Sequence, residues 1–125
     1  MTPFGLRMRE LRAKKPVTMR AMADALQVSS PYLSALEHGK RGRPTIGLIH
    51  QICAYFGLIW DDAEEIKRLA TLSHPKVTID TSSLSARATE LANRLAERIG
   101  DLDDPRIEAL LAELEDASED PGPRY

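Results

Sequence analysis

Apolar residues recur along the chain at steps of three and four, in short blocks that each open on a capping residue. Phe4, Met8 and Leu11 form the first block, the spacing of one helix face. Thr2-Pro3 before it reads as a cap followed by a first-turn proline, and Lys14-Lys15-Pro16 ends the helix. Thr18 caps a second helix, Met19 to Leu26, with Met22, Ala23 and Leu26 inward. Only Gln27-Val28 separate it from Ser29, the next cap. A third helix runs from about Ser30 to Glu37, with Leu33 and Leu36 inward, and closes at His38-Gly39, where glycine suits a left-handed position. Lys40-Arg41-Gly42-Arg43-Pro44 is a basic loop. Thr45 opens a fourth helix, with Ile46, Ile49, Ile52, Cys53 and Phe56 expected inward. Trp60-Asp61-Asp62 opens a fifth, ending near Leu72.

The pattern changes after Ser73. His74-Pro75 breaks the helix, and Val77-Thr78-Ile79-Asp80-Thr81 alternates like a short strand. Ser82-Ser83 leads into a sixth helix, Leu84 to about Ile99. A seventh runs from about Pro105 to Asp116, with Asp104 as its cap and Ile107, Leu110, Leu111 and Leu114 apolar. Residues 117–125 are polar, with two prolines and a glycine, and are expected to fray. The domain reading is therefore 2–72, a helical domain; 73–83, an extended linker or short strand; 84–116, a helical segment; and 117–125, a flexible tail.

Charge sharpens this division. The 125 residues carry a net charge of −2, which alone argues against a nucleic-acid partner. Residues 1–60 hold 9 basic and 3 acidic side chains, however, and residues 61–125 hold 8 and 16. The front half attracts phosphate and the rear half is repelled by it. The apolar runs are too short to span a bilayer. Met1 to Leu11 has no apolar run of a signal peptide, so a cytoplasmic location without membrane contact is expected. One cysteine, Cys53, excludes an internal disulfide, and three scattered histidines give no metal-ligand spacing. With no nucleophile–base set and no phosphate loop, neither an enzyme nor a cofactor is expected.

Two eight-residue helices joined by a very short turn cannot fold alone. The flanking helices would cover their apolar faces and present the second helix at the width of a major groove. Residues 4–60 resemble the lambda-repressor-like (Cro-type, xenobiotic-response-element) helix-turn-helix family. The matching residues are Phe4-Gly5, Met8-Arg9, Leu11-Arg12, Val17-Thr18, Met22-Ala23, Leu26, Val28-Ser29, Tyr32-Leu33-Ser34, Leu36-Glu37, Gly39-Lys40-Arg41 and Pro44-Thr45. The expected fold class is all-α: a five-helix helix-turn-helix domain plus C-terminal dimerisation helices. Three positions depart from the family. Met19 replaces a glutamine that commonly touches phosphate and has no donor. Gln27 replaces a glycine, which implies strain of order 1 kcal/mol if the turn stays left-handed. Pro16 replaces another glycine.

The resemblance implies the site residues. Ser30, Pro31, Ser34 and Ala35 correspond to base-facing positions of the third helix. Thr18, Met19, Ser29, Tyr32, His38, Lys40, Arg41 and Arg43 correspond to positions along the DNA backbone, where contacts orient without reading sequence. Arg9 is a further candidate. Arg12 and Glu37 are implied to form a structural pair joining the first helix to the end of the third. Cys53 falls among inward positions and is read as a small buried hydrophobe rather than a redox sensor. His50 and His74 are read as plain polar residues.

Beyond the resemblance, Leu84, Ala88, Leu91, Leu95, Ile99 and Leu102 step close to a heptad seam, with Ala92 and Ala96 beside it. A homodimer held there would read two half-sites of double-stranded DNA. The function expected is a sequence-specific transcriptional regulator, a repressor by default. The alternative is an antitoxin-type or other interaction protein whose residues 61–125 bind a protein partner.

Overall fold

The computed structural model describes residues 1–119, and all of their regular structure is helical. The tail expected over 117–125 lies outside the described residues from 120 onward. Two compact units divide the chain, Met1–Val77 and Thr78 to the end.

The first unit holds α1 (Pro3–Lys14), α2 (Met19–Leu26), α3 (Ser30–Glu37), α4 (Ile46–Phe56) and α5 (Asp61–Thr71). Hydroxyl caps start four of them. The side chains of Thr2, Thr18, Ser29 and Thr45 accept the backbone N–H of Gly5, Ala21, Tyr32 and Leu48, which satisfies a donor the helix cannot pair itself. Helix α5 opens differently: Trp60 precedes it at φ 52° with no side-chain cap, and its ring stands in solvent. Asp61, Asp62 and Glu64 in the first turn supply negative charge to the positive end of the helix instead.

Three helices end on one geometry. After α2, α3 and α4 the chain turns left-handed at Gln27 (φ 59°), Gly39 (φ 79°) and Gly57 (φ 67°). The next N–H reaches back five residues: Val28 to Ala23 O at 3.0 Å, Lys40 to Ala35 O at 2.8 Å, and Leu58 to Cys53 O at 2.8 Å. These are Schellman turns, and glycine enters them without a Cβ penalty. Gln27 takes the same turn with a side chain, so the strain expected there has its geometric basis.

The core draws on all five helices: Phe4, Met8 and Leu11; Met22, Ala23 and Leu26; Leu33 and Leu36; Leu48, Ile49, Ile52 and Cys53; Ile66 and Ala70. Burial pushes the Cys53 thiol above its ordinary pKa, opposed by the nearby charge of Lys67. Two assignments need correction. Ile46 is 72% exposed, not inward. It occupies the first turn of α4, a quarter-turn from the centre of the apolar face, and Leu48 takes the inward place. Phe56 at the far end is only half-buried, packed against the core rim.

A polar joint closes this core. Pro3 has no N–H. The next free donor, Phe4 N–H, bonds to Ser73 Oγ at 2.9 Å, and Ser73 Oγ donates to Leu69 O at 2.5 Å. Ser73 is buried. Thr2 meanwhile gives both its N–H (3.0 Å) and its hydroxyl (3.1 Å) to Glu37 O. Gly5 lies against the same carbonyl: a Cβ there would sit 2.1 Å from Glu37 O. The start of α1, the end of α3 and the end of α5 therefore meet at one point.

The second unit holds α6 (Ala86–Arg98), a 3-10 turn at Ile99–Asp101, and α7 (Asp104–Glu119). No strand forms among the described residues, so the alternation at 77–81 does not become a ladder. Asp80 instead turns the chain, its carboxylate accepting Ser82 N–H at 2.9 Å, and this bond holds the carboxyl below its ordinary pKa. The cap of α6 is Ser85, which leaves Leu84 outside the helix. The cap bond of α7 comes from Asp103, whose Oδ1 accepts Arg106 N–H at 3.2 Å, one residue before the cap expected at Asp104. Helix α6 buries no residue at all.

Candidate nucleic-acid interface

The chain from Thr18 to Arg43 forms one continuous surface built on α2, the Gln27 turn, α3 and the loop after it. Because α3 points Leu33 and Leu36 into the core, its other faces are left for solvent. Pro31 is exposed, and Ser30, Ser34 and Ala35 are half-buried. Pro31, Ser34 and Ala35 line a shallow hollow of about 350 Å³ together with His38 and Lys40. Ser30 is not part of that lining. Proline is tolerated at the second position of α3 because the first turn has free N–H groups in any case.

The expected backbone positions divide by chemistry. Thr18 and Ser29 are exposed, and each hydroxyl accepts a cap bond while keeping its own proton free to donate. Met19 and Tyr32 are half-buried and pack against the core. Met19 thus serves packing, the role open to a side chain without a donor. His38 is exposed, with Nδ1 2.8 Å from Ser34 O. Lys40, Arg41 and Arg43 are exposed and, among the described residues, make no ion pair. Two left-handed glycines, Gly39 and Gly42, bracket this loop, and Pro44 anchors its end in the buried interior. Three uncommitted cations on a loop held at both ends make an electrostatic footprint for an anionic polymer.

Arg12 and Glu37 hold α3 in place beneath this surface. The Arg12 guanidinium reaches Glu37 with both terminal nitrogens, Nη1 to Oε2 and Nη2 to Oε1, the latter at 2.9 Å. Their side chains are 11% and 1% exposed. Glu37 is the last residue of α3, where the helix dipole is negative and a carboxylate is unfavourable by itself. A forked cation answers both the burial and the dipole.

The family described as the helix-turn-helix domain matches residues 3–72. The chain belongs to the helix-turn-helix family. Among curated relatives, it is similar to an uncharacterized HTH-type transcriptional regulator, RghRB, of Bacillus subtilis (strain 168), at 39% identity over 54 residues. That stretch is 43% of this chain and 39% of the relative. It is also similar to the HTH-type transcriptional regulator DdrOP3 of Deinococcus deserti, at 36% identity over 59 residues, 47% of this chain and 45% of that one. The matched stretch covers less than half the length of either relative. No solved structure matches.

Several contacts of this helix-turn-helix unit escape sequence reasoning. Ser73 and Gly5 act through partners 69 and 32 residues away in sequence. Lys15, counted above with the basic front half, lies 3.8 Å over the Tyr55 ring and donates to Tyr55 O at 2.6 Å, tying the end of α1 to α4. Nothing local announces any of them.

Proposed function

We propose that the protein is a sequence-specific DNA-binding transcriptional regulator that represses by occupying operator DNA as a homodimer. One observation carries the DNA reading: the outward hollow of α3 runs into the unpaired Lys40, Arg41 and Arg43 on a fixed loop. In this reading residues 2–72 bind DNA in the cytoplasm, 73–83 link, and 84–116 dimerise. Binding, not catalysis, is the activity. No helix among the described residues is long and apolar enough to cross a membrane.

Base reading is thin. Ser30 and Ser34 bond to several bases, while Pro31 and Ala35 touch only apolar surface, chiefly thymine methyls; none of the four makes a bidentate base contact. Specificity then leans on thymine methyls and on DNA shape, with Arg41 and Arg43 following the backbone path. Genome-wide mapping of bound sites would supply an operator. If each subunit makes roughly three to five phosphate contacts, affinity should fall about 10³–10⁵-fold between about 50 and 200 mM salt. A flat salt curve would refute the backbone role of Arg41 and Arg43.

The apolar face of the second unit supports dimerisation. Leu84, Leu91 and Ile99 are 58%, 64% and 56% exposed, and Leu110, Leu111 and Leu114 are exposed as well. Of the heptad-like seam, Ala88, Leu91 and Leu95 lie on α6; Ile99 begins the 3-10 turn, and Leu84 and Leu102 flank the helical stretch. A partner must cover such a surface, and a second copy does so while placing two reading helices on two half-sites. Light scattering should give a dimer for the full chain and a monomer for Leu91→Asp or for a chain ended after Val77. A full chain that is monomeric would favour the rival occupant, a different protein held by residues 61–125.

A further inference from the structure

His38 is the cap residue that follows α3, exposed at the edge of the hollow it shares with Pro31, Ser34, Ala35 and Lys40. Its Nδ1 lies 2.8 Å from Ser34 O, one helical turn back. A carbonyl oxygen only accepts, so Nδ1 carries the hydrogen. In the neutral ring Nε2 is then the bare nitrogen, an acceptor. A phosphate oxygen is an acceptor too, and two acceptors do not bond. Only the imidazolium, with N–H on both nitrogens, keeps the bond to Ser34 and donates to phosphate at the same time.

We infer that His38 engages the operator backbone through Nε2 as the imidazolium, so that each subunit takes up a proton as it binds DNA. The inference rests on the DNA-binding reading above. The proton goes from solvent to Nε2, and the new N–H donates to a phosphate oxygen. The protonated form is the binding form, so affinity rises as pH falls. Histidine is the side chain whose charge changes between about pH 5 and 8, and the effect belongs in that range.

The charged surroundings fit. Lys40 lines the same hollow. The Glu37 carboxylate, adjacent in sequence, is turned inward and held by Arg12. The segment packed on Gly39, with Pro75 3.7 Å from where a glycine Cβ would stand, carries His74 and Lys76. None of the hollow's lining residues is acidic. A phosphate across the hollow meets Lys40 and His38 together, and its charge favours the protonated ring. His74 is arranged in the opposite sense. Its Nδ1 accepts Lys76 N–H at 3.2 Å, so the hydrogen sits on Nε2 and the neutral ring already donates.

The test is fluorescence anisotropy of the full chain on a labelled duplex carrying a site recovered by genome-wide mapping. Ionic strength is fixed and pH is varied between about 5.5 and 8.5. Affinity should rise on acidification by about tenfold for each His38 contact, as for a hydrogen bond to a charged group. The salt slope should steepen by about 0.9 for each contact, a change that a purely structural histidine would not produce. His38→Gln should flatten both responses, His38→Lys should bind tightly at every pH, and His74→Gln should behave as the wild type. A His38→Gln protein that keeps the wild-type pH profile, or a salt slope independent of pH, would overturn the inference. A chain that binds no mapped site at any pH would instead refute the DNA-binding reading, a result distinct from binding that ignores pH.

Discussion

Removing Arg12 tests whether the fork under α3 holds the first unit together. In Arg12→Ala the Glu37 carboxylate stays where it is, 1% exposed and at the negative end of its helix, with its cation gone. Breaking a buried pair this way costs about 3–5 kcal/mol. A unit of residues 1–77 has a total stability of about 4–12 kcal/mol at about 0.05–0.15 kcal/mol per residue. The loss is therefore a third or more of the whole. At about 4–8 °C per kcal/mol for a domain this size, the melting midpoint should drop by more than about 12 °C, read by circular dichroism. A second variant separates loss of the pair from mere loss of packing. Arg12→Met with Glu37→Met removes both charges and refills the space, and such replacements are often neutral or stabilising. The double variant should melt well above Arg12→Ala. A single variant that melts within a degree or two of the wild type, or a double variant no better than the single, would refute the reasoning.

Other outcomes follow from single residues. Gln27→Gly should raise stability by up to about 1 kcal/mol, since glycine takes φ 59° without Cβ strain; an unchanged or lower denaturant midpoint would contradict the strain. Gly5→Ala should destabilise by at least about 1–3 kcal/mol, because its methyl would stand 2.1 Å from Glu37 O and backbone must move; a wild-type melt would show that the joint yields easily. Cys53 should react slowly with a thiol reagent near neutral pH in the folded protein and fast in denaturant, because burial raises its pKa and starves the thiolate; equal rates would place it at the surface.

The helix order was legible because helix ends are local. Thr2, Thr18, Ser29 and Thr45 each bond an N–H three residues on, a pattern that needs no tertiary partner. The resemblance located Arg12 opposite Glu37 although 25 residues separate them. Periodicity failed where a face begins or ends. Ile46 has the right spacing from Ile49 but stands on the first turn, beyond the edge of the core. Alternation failed at 77–81 because an Asp80 turn competes with a strand that would need a partner. Adjacent acids hid the true cap of α7, since Asp103 and Asp104 are equivalent in composition and differ only in backbone angle. Nor could the sequence disclose which nitrogen of His38 bears the hydrogen, because that depends on where Ser34 O lies in three dimensions.

The Ser73 hydroxyl has a consequence for modularity. It completes the donors at the start of α1 from the far end of α5, so the first unit fastens its own two ends before the chain moves on. Whatever is spliced on after that latch can be exchanged without retuning the reading helix. The similarity to other proteins has the same shape: the family match stops at residue 72, and each relative shares under half its length with this chain. A unit that locks itself is portable, and lineages can recombine it with new C-terminal partners at a seam just beyond Ser73.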